Sequence, residues 1–173
     1  MRENFTWKRA GFALIAFVIL ILFDQWTKGL AVKNLMNQEP FVLIDGVFQL
    51  RYLENRGAAF GMMQGQQTFF IISASVAVLA IIYIYFKLPW KKRFHGLRTV
   101  VLFIAAGAIG NLIDRVFLGY VVDFFYFELI DFPIFNVADI YVTCATAVLA
   151  ILILFVYKEE ELECLFPSKK ESK

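Results

Sequence analysis

Histidine is almost absent from this sequence: among 173 residues there is one, His95, in a basic stretch beside Arg93. A Ser-His-Asp or Cys-His arrangement needs an imidazole at its nucleophile, and a His-Glu-x-x-His zinc motif needs two, so both are excluded. Cysteine is nearly as scarce. Cys144 lies in an apolar run and Cys164 in a charged tail, positions not expected to meet, so neither a disulfide nor a metal site is expected. The carboxylates lack His or Cys co-ligands, which argues against a zinc hydrolase, and no cofactor is expected. Gly-x-Ser-x-Gly and Gly-x-x-x-x-Gly-Lys are missing, and Ser73 and Ser75 have no base beside them, so they read as helix-packing residues. Charge of one sign is also missing. Seventeen Lys and Arg against 15 Asp and Glu leave +2, too balanced for nucleic-acid binding. Repeats and low-complexity segments are absent as well.

Apolar residues are what the chain has in excess: 60% hydrophobic, 17% aromatic, mean hydropathy +0.67. A soluble domain is roughly 45–50% apolar, so the surplus calls for a second apolar solvent, the bilayer. Four stretches qualify as transmembrane helices, at about 11–31, 68–87, 97–115 and 139–157. The first could be read as a secretory signal peptide. No small-x-small site closes it, however, and Asp24 and Lys28 interrupt it, so it reads as an uncleaved span.

Basic residues sort around these spans. Arg2, Lys8 and Arg9 precede the first; Lys87, Lys91, Lys92, Arg93 and Arg98 fill the link between the second and third; Lys158, Lys169, Lys170 and Lys173 follow the fourth. The loop 32–67 has only Lys33, Arg51 and Arg56, and 116–138 has no basic residue. The positive-inside rule therefore puts both termini in the cytoplasm and both longer loops outside. The organisation expected is a single integral membrane domain over 1–158 with a charged, solvated cytoplasmic tail over 159–173. In the first outer loop, Phe41-Val42-Leu43-Ile44, the pair Asp45-Gly46, and Val47 to Leu53 with alternating Phe48, Leu50 and Tyr52 predict a β-hairpin. The second outer loop, rich in Phe, Tyr and Ile, is expected to lie on or dip into the membrane interface.

Charged and amide groups at membrane depth cost about 2.5–3.5 kcal/mol each at mid-span and mark function by default. Asp24 and Lys28, spaced i, i+4, fall in the outer half of the first span, where they can pair. Asn111, Asp114 and Arg115 end the third span; Asn136 and Asp139 open the fourth; Asp123 and Asn55 lie in the two outer loops. Distant segments thus send polar groups to one leaflet. Plainer roles stay open for several: Asp24 with Lys28 as a structural pair, Asp114 with Arg115 as an interfacial anchor, Asn111 and Asn136 as inter-helix hydrogen-bond glue. Asp123 and Asp139 have apolar neighbours and no basic residue adjacent in sequence, the setting in which carboxylates hold or share a proton. With His, Cys and metal chemistry excluded, a carboxylate pair remains. One member can activate water while the other, protonated, polarises a scissile carbonyl.

Five blocks, in order, resemble the lipoprotein (type II) signal peptidases. They are Asp24-Gln25-Trp26-Thr27-Lys28, Asn55-Arg56-Gly57-Ala58-Ala59-Phe60-Gly61, the stretch Gly107-Ala108-Ile109-Gly110-Asn111-Leu112-Ile113-Asp114-Arg115, Val121-Val122-Asp123-Phe124, and Phe135-Asn136-Val137-Ala138-Asp139. The resemblance implies Asp123 and Asp139 as a catalytic dyad. It implies Asn111, Arg115 and Asn136, with Asp114 and Ala138 in the same blocks, as groups that hold the site. Asp24, Lys28 and Asn55 would support the fold or the substrate backbone. Gly57, Gly107 and Gly110 permit close approach either between helices or to substrate.

The fold implied is an all-α membrane protein, a four-helix bundle with a small extracytoplasmic β-element. The activity implied is removal of the signal peptide from diacylglyceryl-modified prolipoproteins, cut N-terminal to the lipidated cysteine, at the outer face of a bacterial cytoplasmic membrane. Globomycin would inhibit it. Membrane lipid and lipid-modified precursors are the expected partners, with no nucleic acid, and the chain is expected to act as a monomer. Ala106 stands where many members have glycine, and the Glu159-Glu160-Glu161 tail matches no block. Two rivals remain: a small proton-coupled carrier, disfavoured by the lack of inverted repeats or midplane helix breaks, and a non-catalytic membrane subunit.

Overall fold

The computed structural model describes residues 7–57 and 66–162. Four helices are long and apolar enough to cross a membrane. They are α1 (Trp7–Leu35), α2 (Gln67–Lys87), α3 (His95–Phe117), entered through a 3-10 turn, and α4 (Val137–Ile151), which a π-helical turn extends to Val156. Three strands, β1 (Phe41–Ile44), β2 (Phe48–Asn55) and β3 (Val121–Phe127), form one antiparallel sheet in that order, and a one-turn helix α5 (Glu159–Leu162) follows. The four expected spans are all present, each within four residues of its expected ends.

The burial pattern inverts that of a soluble bundle. On α1 the buried residues are Asp24, Lys28, Ala31 and Leu35, one stripe at alternating spacings of four and three. The rest of the helix exposes large apolar side chains, among them Phe12, Ile19, Leu22 and Trp26. Such a surface suits lipid, and the polar groups turn inward. The central helix is α3, packed against α1, α2 and α4. In an 18-residue apolar window of its span 39% of the residues are buried, against 6% in the corresponding window of each of the others.

Small residues let α3 and α4 approach. Ala106 and Ala138 are fully buried. A Cβ on Gly107 would overlap the Ala138 carbonyl oxygen and stand 2.8 Å from Val142 Cγ2, and one on Gly110 would come within 2.5 Å of Asp24 Oδ2. Both glycines are therefore packing positions between helices. The departure at Ala106 is accommodated because its methyl fills the packed interior.

The sheet sits at one end of the bundle, against α1. The hairpin forms as its sequence predicts, except that Val47 joins Asp45 and Gly46 in the turn, its N–H donating to the Ile44 carbonyl at 3.0 Å. Gly46 there takes a φ of 65°, a left-handed conformation that glycine adopts without strain. The third strand was not foreseen. The segment expected to lie as an interfacial loop instead pairs Val121 to Phe127 with β2. Its register slips between Leu50↔Phe125 and Leu53↔Asp123, so β2 carries one extra residue beside Asp123. Beyond the strand, Leu129 and Ile130 remain exposed, as an interfacial segment requires.

At the far end, Leu88, Phe94, Leu97, Val101 and Tyr157 form a second core cluster. Here the start of the charged tail is ordered rather than merely solvated, because Arg93 pairs with Glu161 at 2.9 Å. Cys164 and the remainder of the tail, like Ala58 to Gly61 of the second block, lie outside the described residues.

The α3–α4 contact yields a test. Gly107→Ala should destabilise the protein by about 1–3 kcal/mol, since backbone rather than a flexible side chain blocks the added methyl. Melting in detergent would register it, and an unchanged midpoint would contradict this packing.

Candidate active site

The polar residues of five elements meet at the sheet end of the bundle. Lys28, only 3% exposed, is the hub. Its ammonium lies 2.9 Å from Asp24 Oδ2 and 3.0 Å from Asp114 Oδ2, and donates to Asn111 Oδ1 at 2.9 Å. Asp24 and Lys28 pair as their i, i+4 spacing predicts. Asp114 is not an interfacial anchor with Arg115. It is buried, held by Lys28, by Gln25 Nε2 at 2.9 Å and by the Val122 N–H at 3.1 Å. That last bond ties the start of β3 to α3.

Asp24 reaches further still. Its Oδ1 accepts from the Ala138 N–H at 2.9 Å, so a carboxylate on α1 satisfies a free amide at the N-terminus of α4. Asn136 caps the same helix. Its Oδ1 accepts from the Asp139 N–H at 3.0 Å, while Asp139 Oδ2 accepts from the Asn136 N–H at 3.2 Å, a reciprocal capping box. Asp139 is thus fixed by the first turn of its own helix.

Asparagines bridge the two aspartates. The Asn136 side chain donates to Asp123 Oδ1 at 2.6 Å and to Asn111 Oδ1 at 3.0 Å. Because Asn111 Oδ1 already accepts from Lys28 and Asn136, its Nδ2 is left to donate to Asp139 Oδ1, at 2.8 Å. From β2, Asn55 donates to Asp123 Oδ2 at 2.8 Å, and its own Oδ1 accepts from the Gly57 N–H at 3.0 Å. Both carboxylates therefore have each oxygen anchored.

Asp123 is 1% exposed. Burial first, and the Asp139 charge second, push its pKa up to about 7, against the opposing hydrogen bonds of Asn55 and Asn136 and the Lys28 charge. Asp123 and Asp139 line one cavity of about 420 Å³, together with Asn55, Gly57, Asn111 and Arg115. Its remaining wall is largely apolar, from Phe132, Pro133, Ile134, Phe135 and Ile140. Arg115 lies over the Phe70 ring at 5.4 Å, and its carbonyl accepts from Gln67 Nε2 at 2.8 Å.

All the sequence-predicted site residues gather at this end, though not in one shell. Asp24, Lys28, Asp114, Gly107, Gly110, Asn136 and Ala138 lie behind the cavity as its support, and Asn55, Gly57, Asn111, Arg115, Asp123 and Asp139 line it. Gln25 went unrecognised. It bridges Asp24, the Gly110 carbonyl and Asp114, and an amide at membrane depth beside a carboxylate was the available signal. Among the described residues no cluster of His, Cys, Asp and Glu could hold a metal ion. Two carboxylates on one wall of a largely apolar cavity can position and deprotonate a water.

The chain is also similar to known proteins. The family model for signal peptidase (SPase) II matches residues 15–155. A lipoprotein signal peptidase of Streptococcus thermophilus is 44% identical over 146 residues, 84% of this chain and 92% of that protein. One from Caldanaerobacter subterraneus is 45% identical over 143 residues, covering 82% and 94%. One from Clostridioides difficile is 42% identical over 142 residues, also covering 82% and 94%. The structure of a bacterial membrane enzyme solved by the in meso method at 2.3 Å superposes with a TM-score of 0.75 at 29% identity, over 100% of this chain and 98% of that one. A second, at 1.9 Å, gives 0.73 at 30% identity over 91% and 99%. With its four apolar helices, this bacterial multi-pass membrane protein belongs to the signal peptidase II family.

Proposed function

We propose that the chain is a membrane aspartyl endopeptidase that removes the signal peptide of lipid-modified prolipoproteins, cutting N-terminal to the diacylglyceryl cysteine. The observation that carries this reading is the meeting of Asp123 and Asp139, each held through both oxygens, on one wall of a cavity with an apolar flank. The family's relatives are named for the same substrate class. A lipidated peptide suits that flank, since Phe132, Pro133, Ile134 and Ile140 can shelter acyl carbon while the aspartates face the peptide bond.

Charge bookkeeping supports a shared proton. Among the described residues, Asp24, Asp114, Asp123 and Asp139 face Lys28 and Arg115, four carboxyl groups against two cations. Retaining one proton on the pair relieves this excess. The ionised member takes a proton from water, and the hydroxide formed attacks the scissile carbonyl carbon. The protonated member donates to the carbonyl oxygen. Collapse of the tetrahedral intermediate then breaks the C–N bond: the leaving nitrogen takes a proton from one member while a hydroxyl of the intermediate returns one to the other, which restores the singly protonated pair. Asn111, Asn136 and Asn55 hold the two carboxylates in register throughout, and Arg115 sets the field around them. The chain is proposed to act as a monomer.

The proposed orientation places both termini in the cytoplasm and the cavity at the outer face. Lys87, Lys91, Lys92, Arg93 and Arg98 gather at the end of the bundle opposite the cavity, which is where the positive-inside rule places cytoplasmic loops. A precursor held in the bilayer by its own acyl chains would deliver its scissile bond at the level of the site.

Three outcomes are expected. Purified protein in detergent should cleave a diacylglyceryl-modified prolipoprotein, and Asp123→Asn or Asp139→Asn, with folding verified by melting, should lower kcat by at least about 10³-fold. A folded variant cutting at the wild-type rate would remove the dyad. The log of kcat/KM plotted against pH should turn downward near 7 and fall roughly tenfold per pH unit beyond it, because rising pH strips the proton from Asp123 that the pair requires. A profile flat to pH 9 would contradict a shared proton. In a background of Cys144→Ser and Cys164→Ser, a membrane-impermeant maleimide applied to intact spheroplasts should label Asp45→Cys and spare Lys91→Cys, and the reverse labelling would invert the topology.

A further inference from the structure

A second concavity, of about 380 Å³, lies at the end of the bundle opposite the aspartates, between α1, α2 and α3. Its walls are almost wholly apolar. Ala10 and Ala13 on α1 open the groove, Phe17, Ile81 and Leu102 line it, and Tyr85, Phe86 and Trp90 stand toward its end. From Trp7 to Phe17 it follows ten residues of helix, about 15 Å at 1.5 Å per residue, much of the length of an acyl chain.

The charged end of the groove is built. Arg98, 7% exposed, donates to the Leu88 carbonyl at 2.7 Å and the Tyr85 carbonyl at 3.2 Å. Its guanidinium lies 3.7 Å from the centroid of the Trp90 ring and 5.1 Å from that of Tyr85, so one buried cation backs both aromatic rings at that end. Two buried polar atoms are left without a hydrogen-bond partner, Arg98 Nε and Tyr85 Oη. Unpaired buried donors are costly and point to a polar group that comes and goes. Exposed cations lie at this end of the bundle: Lys8 on the first turn of α1, Lys87 in the last turn of α2 with its ammonium 5.0 Å from the Tyr83 ring centroid, and Lys91 in the link beyond α2. Arg93 is engaged with Glu161, so the acidic α5 is turned to that residue.

We propose that this groove binds one anionic phospholipid, an acyl chain lying along Ala10, Ala13 and Phe17 and the phosphate headgroup meeting the cations beside Tyr85 and Trp90. A long apolar slot, an aromatic pair at the interface and a one-sided positive rim are the three features such a lipid recognises. A zwitterionic lipid would fill the slot but bring a cation of its own to the positive rim. The site is separate from the aspartate cavity, and its test does not depend on peptidase activity.

The full chain in detergent would be melted with dioleoylphosphatidylglycerol and, separately, with dioleoylphosphatidylcholine at equal mole fraction. Phosphatidylglycerol should raise the midpoint by about 3 °C more than phosphatidylcholine does. Lys87→Gln with Lys91→Gln, both at exposed positions, should reduce that excess by about half or more. Ala13→Phe, which fills the slot, should abolish it. Equal shifts from the two lipids overturn the proposal, and so does an excess that survives in full in the charge variant or in a folded Ala13→Phe protein. Should Ala13→Phe fail to fold, the charge variant decides alone.

Discussion

One buried ammonium holds the functional end of this molecule together. Lys28 lies at membrane depth with Asp24, Asp114 and Asn111 around it, contributed by α1 and α3. Stranding any one of these charges would be expensive, since removing one partner of a buried ion pair typically costs about 3–5 kcal/mol. Satisfied together, they fix the relative rotation and depth of two helices, something apolar packing does poorly in lipid, where the solvent is as apolar as the side chains. The influence of the ion pairs extends outward. Asp24 passes the constraint to the N-terminus of α4 through Ala138, Asp114 passes it to β3 through Val122, and Asn111 passes it to Asp139. The two aspartates of the proposed dyad are therefore positioned from one centre.

Such a network explains why the close helix approaches are where they are. Gly110 faces Asp24 because a carboxylate spanning from α1 to α4 must pass the backbone of α3. Gly107 meets the Ala138 carbonyl one turn away, so the first turn of α4 rests directly on α3. These contacts bring the capping box of Asn136 and Asp139 to the depth of Lys28. Helix-end chemistry, normally found at the solvent boundary, is here satisfied inside the protein.

Much of this was legible in the sequence, for identifiable reasons. The spans were plain because apolar runs of 20 residues have few alternative explanations. The meeting of Asp24, Lys28, Asn111, Asp114 and Asp139 was plain because each polar group within such a run is an exception that needs a partner. Partner identity was harder. Asp114 beside Arg115 suggested a local pair, yet its partner Lys28 is 86 positions away, and nothing in local spacing announces that. The same limit hid β3, since its pairing with β2 joins segments about 70 residues apart and its run of Val and Phe could equally face lipid. Hairpin β1–β2 was readable because its register is set by a local turn, and even there the turn was one residue longer than the Asp-Gly pair implied. The tail's Glu161 found Arg93 across the bundle, another non-local pair.

The two ends of the bundle solve different problems with the same materials. At the sheet end, buried polar groups are hydrogen-bonded to one another, and the cavity beside them presents two carboxylates. At the other end, the buried Arg98 is only partly satisfied, and an apolar slot lies at the same end as exposed lysines. A four-helix protein in a bilayer gains little from apolar association alone, so its orientation and depth must be set by polar contacts at both ends. On the proposed reading, the cavity needs that depth to be right within a few ångströms, because a lipidated substrate cannot leave the interface to find it. A headgroup bound at the opposite rim would anchor the bundle along the membrane normal. The distance between the two polar ends, set by the helices, would then hold the aspartates at the level where the scissile bond is presented.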